Sequence, residues 1–333
     1  MKDTPKTPQD KLMQSNDEIV AKAKAAAAEK AAARAERRAR FAQVKPIPQI
    51  CIVAWVDLLG FREQICNADT PEKFQEAYRR MRQVHEEFDK ETASIEADQA
   101  ELNESLGKRI VSLSDGLVIA LNLESDCPAA EVSSHYERIG SFLEALRLAQ
   151  ARCASVGNLV RGGVALGYFW FEDDILLSPA LVAAYEMESN KTLARNPVII
   201  LRRELADHLR SMKASEGYSD DWDPMDDLFR DCEWMEKPAR SDYVMLNFMP
   251  VFLFDGDDPT PFLRNYHKRL NERRAAAPEK ARKKYDWLIA YAREFVSTEL
   301  PGLEDSIFGS SGSDTGAINE AGETGSNLNH GNK

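Results

Sequence analysis

The chain has 333 residues, 43% of them hydrophobic, and a formal net charge of -12. That is enough apolar material for one large domain or two smaller ones. The acidic balance excludes broad nucleic-acid binding, which needs a basic face to displace counterions from the phosphates. No apolar run approaches the roughly 20 residues of a bilayer-spanning helix, and the opening "MKDTPKTPQDK" lacks the apolar stretch of a signal peptide. The five cysteines, Cys51, Cys66, Cys127, Cys153 and Cys232, form no CxxC pair and no zinc spacing, which predicts a reducing, cytoplasmic setting.

Residues 1–46 are Ala-rich and charged, with high helix propensity but few large apolar side chains, and predict an extension outside the core. "ICIVAWVDLL" then reads as a buried strand. Residues 71–105 follow as one long helix or a pair, with Phe74, Tyr78, Met81, Val84 and Phe88 at helical spacing. "RIVSLSDGLVIALNL" reads as two strands joined at Ser114-Asp115-Gly116. Residues 131–154 carry a helical period in Ile139, Phe142, Leu143, Leu146 and Ala149.

"LVRGGVALGYFWF" is the next strand and "SPALVAAYEMES" the next helix, with Ser178 as its cap and Pro179 at its first position. "PVIILR" closes the alternation as a strand. Residues 215–240 form an acidic insertion with little periodicity. Residues 261–297 return to helix, with Tyr285, Leu288, Ile289, Ala292 and Phe295 on one side. The Gly/Ser/Asn-rich end predicts disorder. The order predicts an α+β fold with a ferredoxin-like, mostly antiparallel central sheet flanked by helices.

The chemistry-bearing signal is a pair of carboxylates. Asp57 ends the first strand and Asp115 sits at the hairpin tip, so in a sheet where these strands are neighbours both emerge at one edge. Two hard oxygen anions beside a glycine-containing turn suit magnesium or manganese, which retain open positions for substrate phosphates. The same residues also suit a plain structural role, because an Asp ending a strand is often a turn former and Ser-Asp-Gly is a common hairpin turn. Arg161 offers an always-charged planar donor for phosphate, or an ion-pair partner for Glu186 or Glu188. The aromatic run at 168–171 suits base stacking or core packing. The five histidines have no metal spacing.

The segments "VAWVDLLGF", "RIVSLSDGLVIAL", "LVRGGVALG" and "LSPALVAAYEMES" together resemble the class III nucleotide cyclases, and within them the pyrimidine cyclases of the bacterial Pycsar antiphage system. The resemblance covers about residues 50–201. It implies the class III cyclase fold over 47–210 and leaves the rest of the chain unexplained: the Ala-rich extension at 1–46, the acidic insertion and C-terminal helical extension of the same domain at 211–303, and the disordered tail at 304–333.

The resemblance also implies site roles. Asp57 and Asp115 match the two metal-binding aspartates, Leu58 supplies a backbone carbonyl to one metal, and Gly60 and Phe61 match the turn that holds the triphosphate through main-chain amides. Two Mg2+ or Mn2+ ions per site would activate the ribose 3'-hydroxyl for attack on the α-phosphate, releasing pyrophosphate. UTP is the implied substrate, with CTP as second choice. A homodimer and a separate cyclic-nucleotide-binding effector are the implied partners, with no nucleic acid and no membrane contact.

Two departures bear on the base and on the phosphate. Val111 and Ile175 align where purine cyclases carry polar base-reading side chains, and neither can hydrogen-bond to a base edge. Val182 and Glu186 align where many members carry the transition-state Asn and Arg, which leaves Arg161 as the nearby catalytic candidate. The loss of that pair equally suits a catalytically silent cyclase-homology module that binds nucleotide or mediates dimerisation.

Overall fold

A computed structural model of the chain describes residues 48–94, 109–113, 115–123, 135–172, 175–190, 192–193, 195–216, 227–235, 239–253 and 258–309. The expected helical extension at 1–46, the segment 95–105 and the Gly/Ser/Asn-rich end lie outside these residues.

The described chain falls into two compact units, one of residues up to 154 with 158–248, the other of 155–157 with residues from 249 onward. The first unit is built on an eight-stranded sheet. Its first strand, β1 (Gln49–Leu58), comes from the long apolar run. It lies between β3 (Gly116–Asn122) and β4 (Val160–Glu172), pairing antiparallel with both. β2 (Arg109–Leu113) pairs antiparallel with β3 on the outer side. The order of these four is therefore β2-β3-β1-β4, that of a ferredoxin-like βαββαβ unit.

β6 (Ile199–Arg202) extends the sheet parallel to β4. β8 (Tyr243–Leu246) and β7 (Phe229–Asp231) follow as antiparallel neighbours. A short β5 (Ile175–Leu177) pairs with the end of β4 alone. Strands β5, β7 and β8 were not expected from the sequence. They are three or four residues long, too short to show a period of two, and β7 arises within the segment read as an acidic insertion.

Alternation along β1 decides what covers each face of the sheet. Ile52, Ala54, Val56 and Leu58 point into the main core with Leu117, Ile119 and Val164. That face is covered by α2 (Pro71–Ser94), α3 (His135–Ser155) and α5 (Arg203–Glu216). The five apolar positions expected on α3 are all buried. On α2 the stripe is shifted from expectation. Ala77, Val84 and Phe88 are buried, whereas Phe74 and Tyr78 are 56% and 58% exposed, so the buried face of α2 is turned toward Ala77 and away from Phe74 and Tyr78.

Cys51 and Val53 of the opposite face pack with Val118, Ala120, Phe169 and Ala180. Here the helix is α4 (Pro179–Ser189), which enters as expected: the Ser178 hydroxyl accepts a hydrogen bond from the Leu181 amide at 3.0 Å and Pro179 sits in the first turn. The Ser178 hydroxyl also donates to the Tyr168 carbonyl at 2.8 Å, tying the helix start to β4. A four-residue helix α6 (Ala239–Asp242) leads into β8.

The second unit holds α7 (Thr260–Ala276), α8 (Glu279–Glu299) and α9 (Glu304–Phe308). The single helix expected over 261–297 is broken. Ala277 takes an extended ψ of 145° in front of Pro278, as the proline ring requires of its predecessor. Leu288, Ala292 and Phe295 are buried as the spacing predicts, and Tyr285 and Ile289 lie at the margin. Residues 304–308, assigned to the disordered tail by the sequence, form α9 with Ile307 buried.

Candidate functional site

The site begins where β1 leaves the sheet. Asp57 stands opposite Gly116 on β3 and opposite Arg161 on β4. The Leu58 amide donates to the Asp115 carbonyl at 3.1 Å. Two residues 58 positions apart in sequence therefore meet at one sheet edge, as neighbouring strands permit.

Asp57 is largely enclosed, with 14% of its side chain exposed, and its Oδ2 accepts a hydrogen bond from Arg161 Nε at 3.1 Å. The same Nε lies 2.5 Å from Oε1 of Glu188, near the end of α4. The other Glu188 oxygen accepts from the Trp55 indole N–H at 3.3 Å. Arg161 thus bridges a strand carboxylate and a helix carboxylate. Of the two partners the sequence offered for Arg161, the structure selects Glu188.

Glu188 is 4% exposed, and burial raises its carboxyl above the ordinary glutamate value. Arg161 opposes that rise, Asp57 adds to it, the Trp55 N–H opposes it, and Asp115 adds to it. Glu188 therefore feels the charges of both Asp57 and Asp115, as a carboxyl beside like charges does.

Glycines set this geometry. A Cβ on Gly163 would lie 2.3 Å from the Ala184 carbonyl and 2.9 Å from Met187 Cβ, so α4 approaches β4 closely only because that residue has no side chain. This approach carries Glu188 down to Arg161. A Cβ on Gly116 would lie 2.4 Å from the Trp55 ring; the indole fills the space beside the hairpin tip and meets the edge of Tyr185 at 5.6 Å between centroids.

The turn after β1 is fixed from behind. Gly60 adopts φ 78° at the head of α1 (Phe61–Cys66), and Phe61 is buried. Arg80 of α2 donates to the Leu59 carbonyl at 3.1 Å, to Gln64 Oε1 at 3.0 Å and to Asn158 Oδ1 at 3.0 Å. The Leu59 amide donates to the Leu159 carbonyl at 2.9 Å. The backbone that leads from Asp57 into Gly60 is thus held by three neighbouring segments.

The remaining sequence candidates are spread out. Val111 packs half-buried beside the α4-side cluster, and Ile175 is exposed on β5. Val182 and Glu186 are exposed on α4. Of the aromatic run, Phe169 is buried, Tyr168 is 55% exposed, and Trp170 and Phe171 are intermediate.

Among the described residues no group of three His, Cys, Asp or Glu side chains is arranged to hold a metal ion by itself. Asp57 and Asp115 do fit a divalent ion that shares its shell with substrate. Both are hard oxygen donors, and a cation, the Arg161 guanidinium, already sits against Asp57. Glu188 was the residue that sequence reasoning passed over as a site member. The structure supplies what the sequence pattern did not: Ala180, Ala184, Met187 and Glu188 make the buried stripe of α4, and a charged residue on a buried stripe demands a partner.

Comparison with known proteins adds little that is specific. No family model and no curated protein matches the chain. Among solved structures, a bacterial light-regulated adenylyl cyclase aligns over 66% of this chain and 100% of its own, at 10% identity and a TM-score of 0.34. The guanylyl cyclase Cya2 aligns over 61% of this chain and 93% of its own, at 12% identity and a TM-score of 0.27. At such values the likeness carries no functional argument, and the chain's own residues must supply one. No helix among the described residues is long and apolar enough to cross a membrane.

Proposed function

We propose that the chain is a nucleotide cyclase that closes a pyrimidine nucleoside triphosphate, UTP before CTP, to its 3',5'-cyclic monophosphate with release of pyrophosphate. The observation that carries the reading is the meeting of Asp57 and Asp115 at one sheet edge, beside a braced Gly60 turn. Asp57, Asp115 and the Leu58 carbonyl would hold Mg2+ or Mn2+. Bound there, the ions would supply Lewis-acid activation of the ribose 3'-hydroxyl and charge neutralisation at the phosphates.

The protein's own groups do the rest. The backbone amides around Gly60 and Phe61 receive the triphosphate, with Gly60 allowing close approach. Arg161, 25% exposed at its side chain, is the cation nearest the carboxylates and serves the transferring phosphoryl group. Val182 and Glu186 offer nothing cationic in its stead. Val111 and Ile175, lacking any side-chain donor or acceptor, suit a base not read through a purine edge.

A homodimer fits the exposed apolar side chains of the β4–β5 hairpin and α4, among them Tyr168, Ile175, Leu177, Val182 and Tyr185. Patches of that kind mark interaction sites. On the motif resemblance such an enzyme would be the signal generator of an antiphage defence pair, acting through a separate effector that binds the cyclic nucleotide, and the cysteine pattern of the sequence suits a cytoplasmic setting. A second reading, a silent nucleotide-binding module, is favoured by the Arg161 hold on Asp57.

The two readings separate on product. The full chain is incubated with Mn2+ and each of ATP, GTP, CTP and UTP, and the products are identified by mass spectrometry. A cyclic pyrimidine nucleotide is expected. Cyclic AMP or cyclic GMP would overturn the choice of base, and no product from any of the four would favour the silent module.

A further inference from the structure

Arg161 serves two carboxylates with one guanidinium: its Nε donates to Asp57 and lies against Glu188. A divalent cation arriving at Asp57 meets that positive charge already in place. In the water-poor setting of a sheet edge, two cations on one carboxylate repel strongly. Metal binding at Asp57 therefore requires the guanidinium to give way.

Glu188 provides the place for it to go. The carboxylate is buried, already lies nearer the Arg161 Nε than Asp57 does, at 2.5 Å against 3.1 Å, and is fixed by the Trp55 indole at one oxygen and by the close Gly163–α4 contact at its helix. We propose that Glu188 is a positioning residue that takes over Arg161 when a divalent cation binds Asp57, so that Arg161 acts as a resident cation exchanged for metal. The inference rests on the metal-site reading above. It adds that Asp57 is never left bare: Arg161 holds it before metal arrives, and Glu188 holds Arg161 afterwards. The arrangement also keeps Arg161 beside the site instead of expelling it to solvent.

The test is Mn2+ binding to the full chain without nucleotide, read from the free-ion signal in electron paramagnetic resonance. Glu188→Gln removes the receiving charge and leaves Arg161 on Asp57, so Mn2+ affinity is expected to fall about tenfold. Adding Arg161→Gln removes the competing cation, and affinity is expected to return to within about twofold of wild type. Trp55→Phe, which keeps an aromatic ring but deletes the N–H donor to Glu188, is expected to weaken binding in the same direction by a smaller factor. It keeps the test open if the Gln variant does not fold.

A purely structural role for Glu188 would lower the melting temperature and leave the Mn2+ affinity of the folded protein unchanged. Equal affinity in wild type and Glu188→Gln overturns the exchange while the metal site stands. A loss that Arg161→Gln does not reverse also overturns it, because Glu188 would then act through its own charge alone. Absence of Mn2+ binding by wild type overturns this inference, which needs the ion to displace Arg161 before substrate arrives; the substrate-shared metal site is judged separately, by product formation.

Discussion

An acid at the end of a buried strand is costly unless something pairs with it, and Asp57 is paired twice over in prospect: with Arg161 in the structure, and with metal in the proposed reaction. The residue that makes this workable is as much Gly163 as Arg161. Replacing Gly163 with Ala sets a methyl group 2.3 Å from the Ala184 carbonyl, a backbone atom that yields only if α4 moves. Such overpacking costs about 1–3 kcal/mol, and urea unfolding of Gly163→Ala should show it as an earlier midpoint. An unchanged midpoint would mean that α4 is not seated on β4 as described. At this scale the sequence was partly legible. The aspartates were visible as acids closing an apolar run and a hairpin, but Glu188 was visible only as one of two possible partners for Arg161, because a helix of Ala, Val, Met and Glu shows no strong amphipathic pattern to flag the charged residue on its buried side.

At the level of elements, the β1–α1 turn depends on α2. Arg80 contributes three hydrogen bonds to that region, and those made by a charged group are worth about 1.5–3 kcal/mol each. If the Gly60 turn receives the triphosphate, Arg80→Ala should raise KM for the nucleotide at least about tenfold with a smaller change in kcat. Steady-state kinetics would show this, and an unchanged KM would remove the turn from the binding site.

The contact between α2 and α3 makes a separate prediction. Glu91 is buried against Arg152. Burial raises its carboxyl above the ordinary value, with Arg152 and Lys90 opposing and Glu87 adding to the rise. A carboxyl raised in the folded chain holds its proton more tightly there than when unfolded. Its contribution to stability is complete below the unfolded value and is lost as pH rises through the folded one. Glu91→Gln should therefore gain on wild type in melting temperature as pH climbs from about 4 towards neutrality, the unfolded carboxyl titrating near the low end of that window. A difference that does not vary with pH would contradict the direction of the shift.

The elements themselves were read unevenly. Long apolar or periodic runs such as β1, α3 and β4 declare themselves, since burial of one face forces the pattern. The exposed Phe74 and Tyr78 satisfy the helical period without meeting any core, because spacing says which residues share a face and not how far that face is covered. The break at Ala277–Pro278 was written in the sequence, and the apolar positions of α8 alone do not reveal it.

For the molecule as a whole, the strand order β2-β3-β1-β4 brings residues of β1 and of the β2–β3 turn together, and β4 adds the arginine. Topology is what turns two acids far apart in sequence into one site, and single-sequence patterns predict the strands better than their neighbours. The added strands β6, β8 and β7 widen the sheet beyond that unit; β6 was legible as an apolar run, whereas β7 lies in a segment whose acidic composition concealed it.

The most direct measurement sets wild type beside Asp57→Asn and Asp115→Asn, each shown by circular dichroism to melt as the wild type does. Each is incubated with Mn2+ and UTP or CTP, and cyclic product is quantified by mass spectrometry. Cyclic UMP or cyclic CMP from the wild type and none from either variant is the predicted result. Product from a variant at the wild-type rate would contradict the assignment of the site, and no product from the wild type would contradict the cyclase itself.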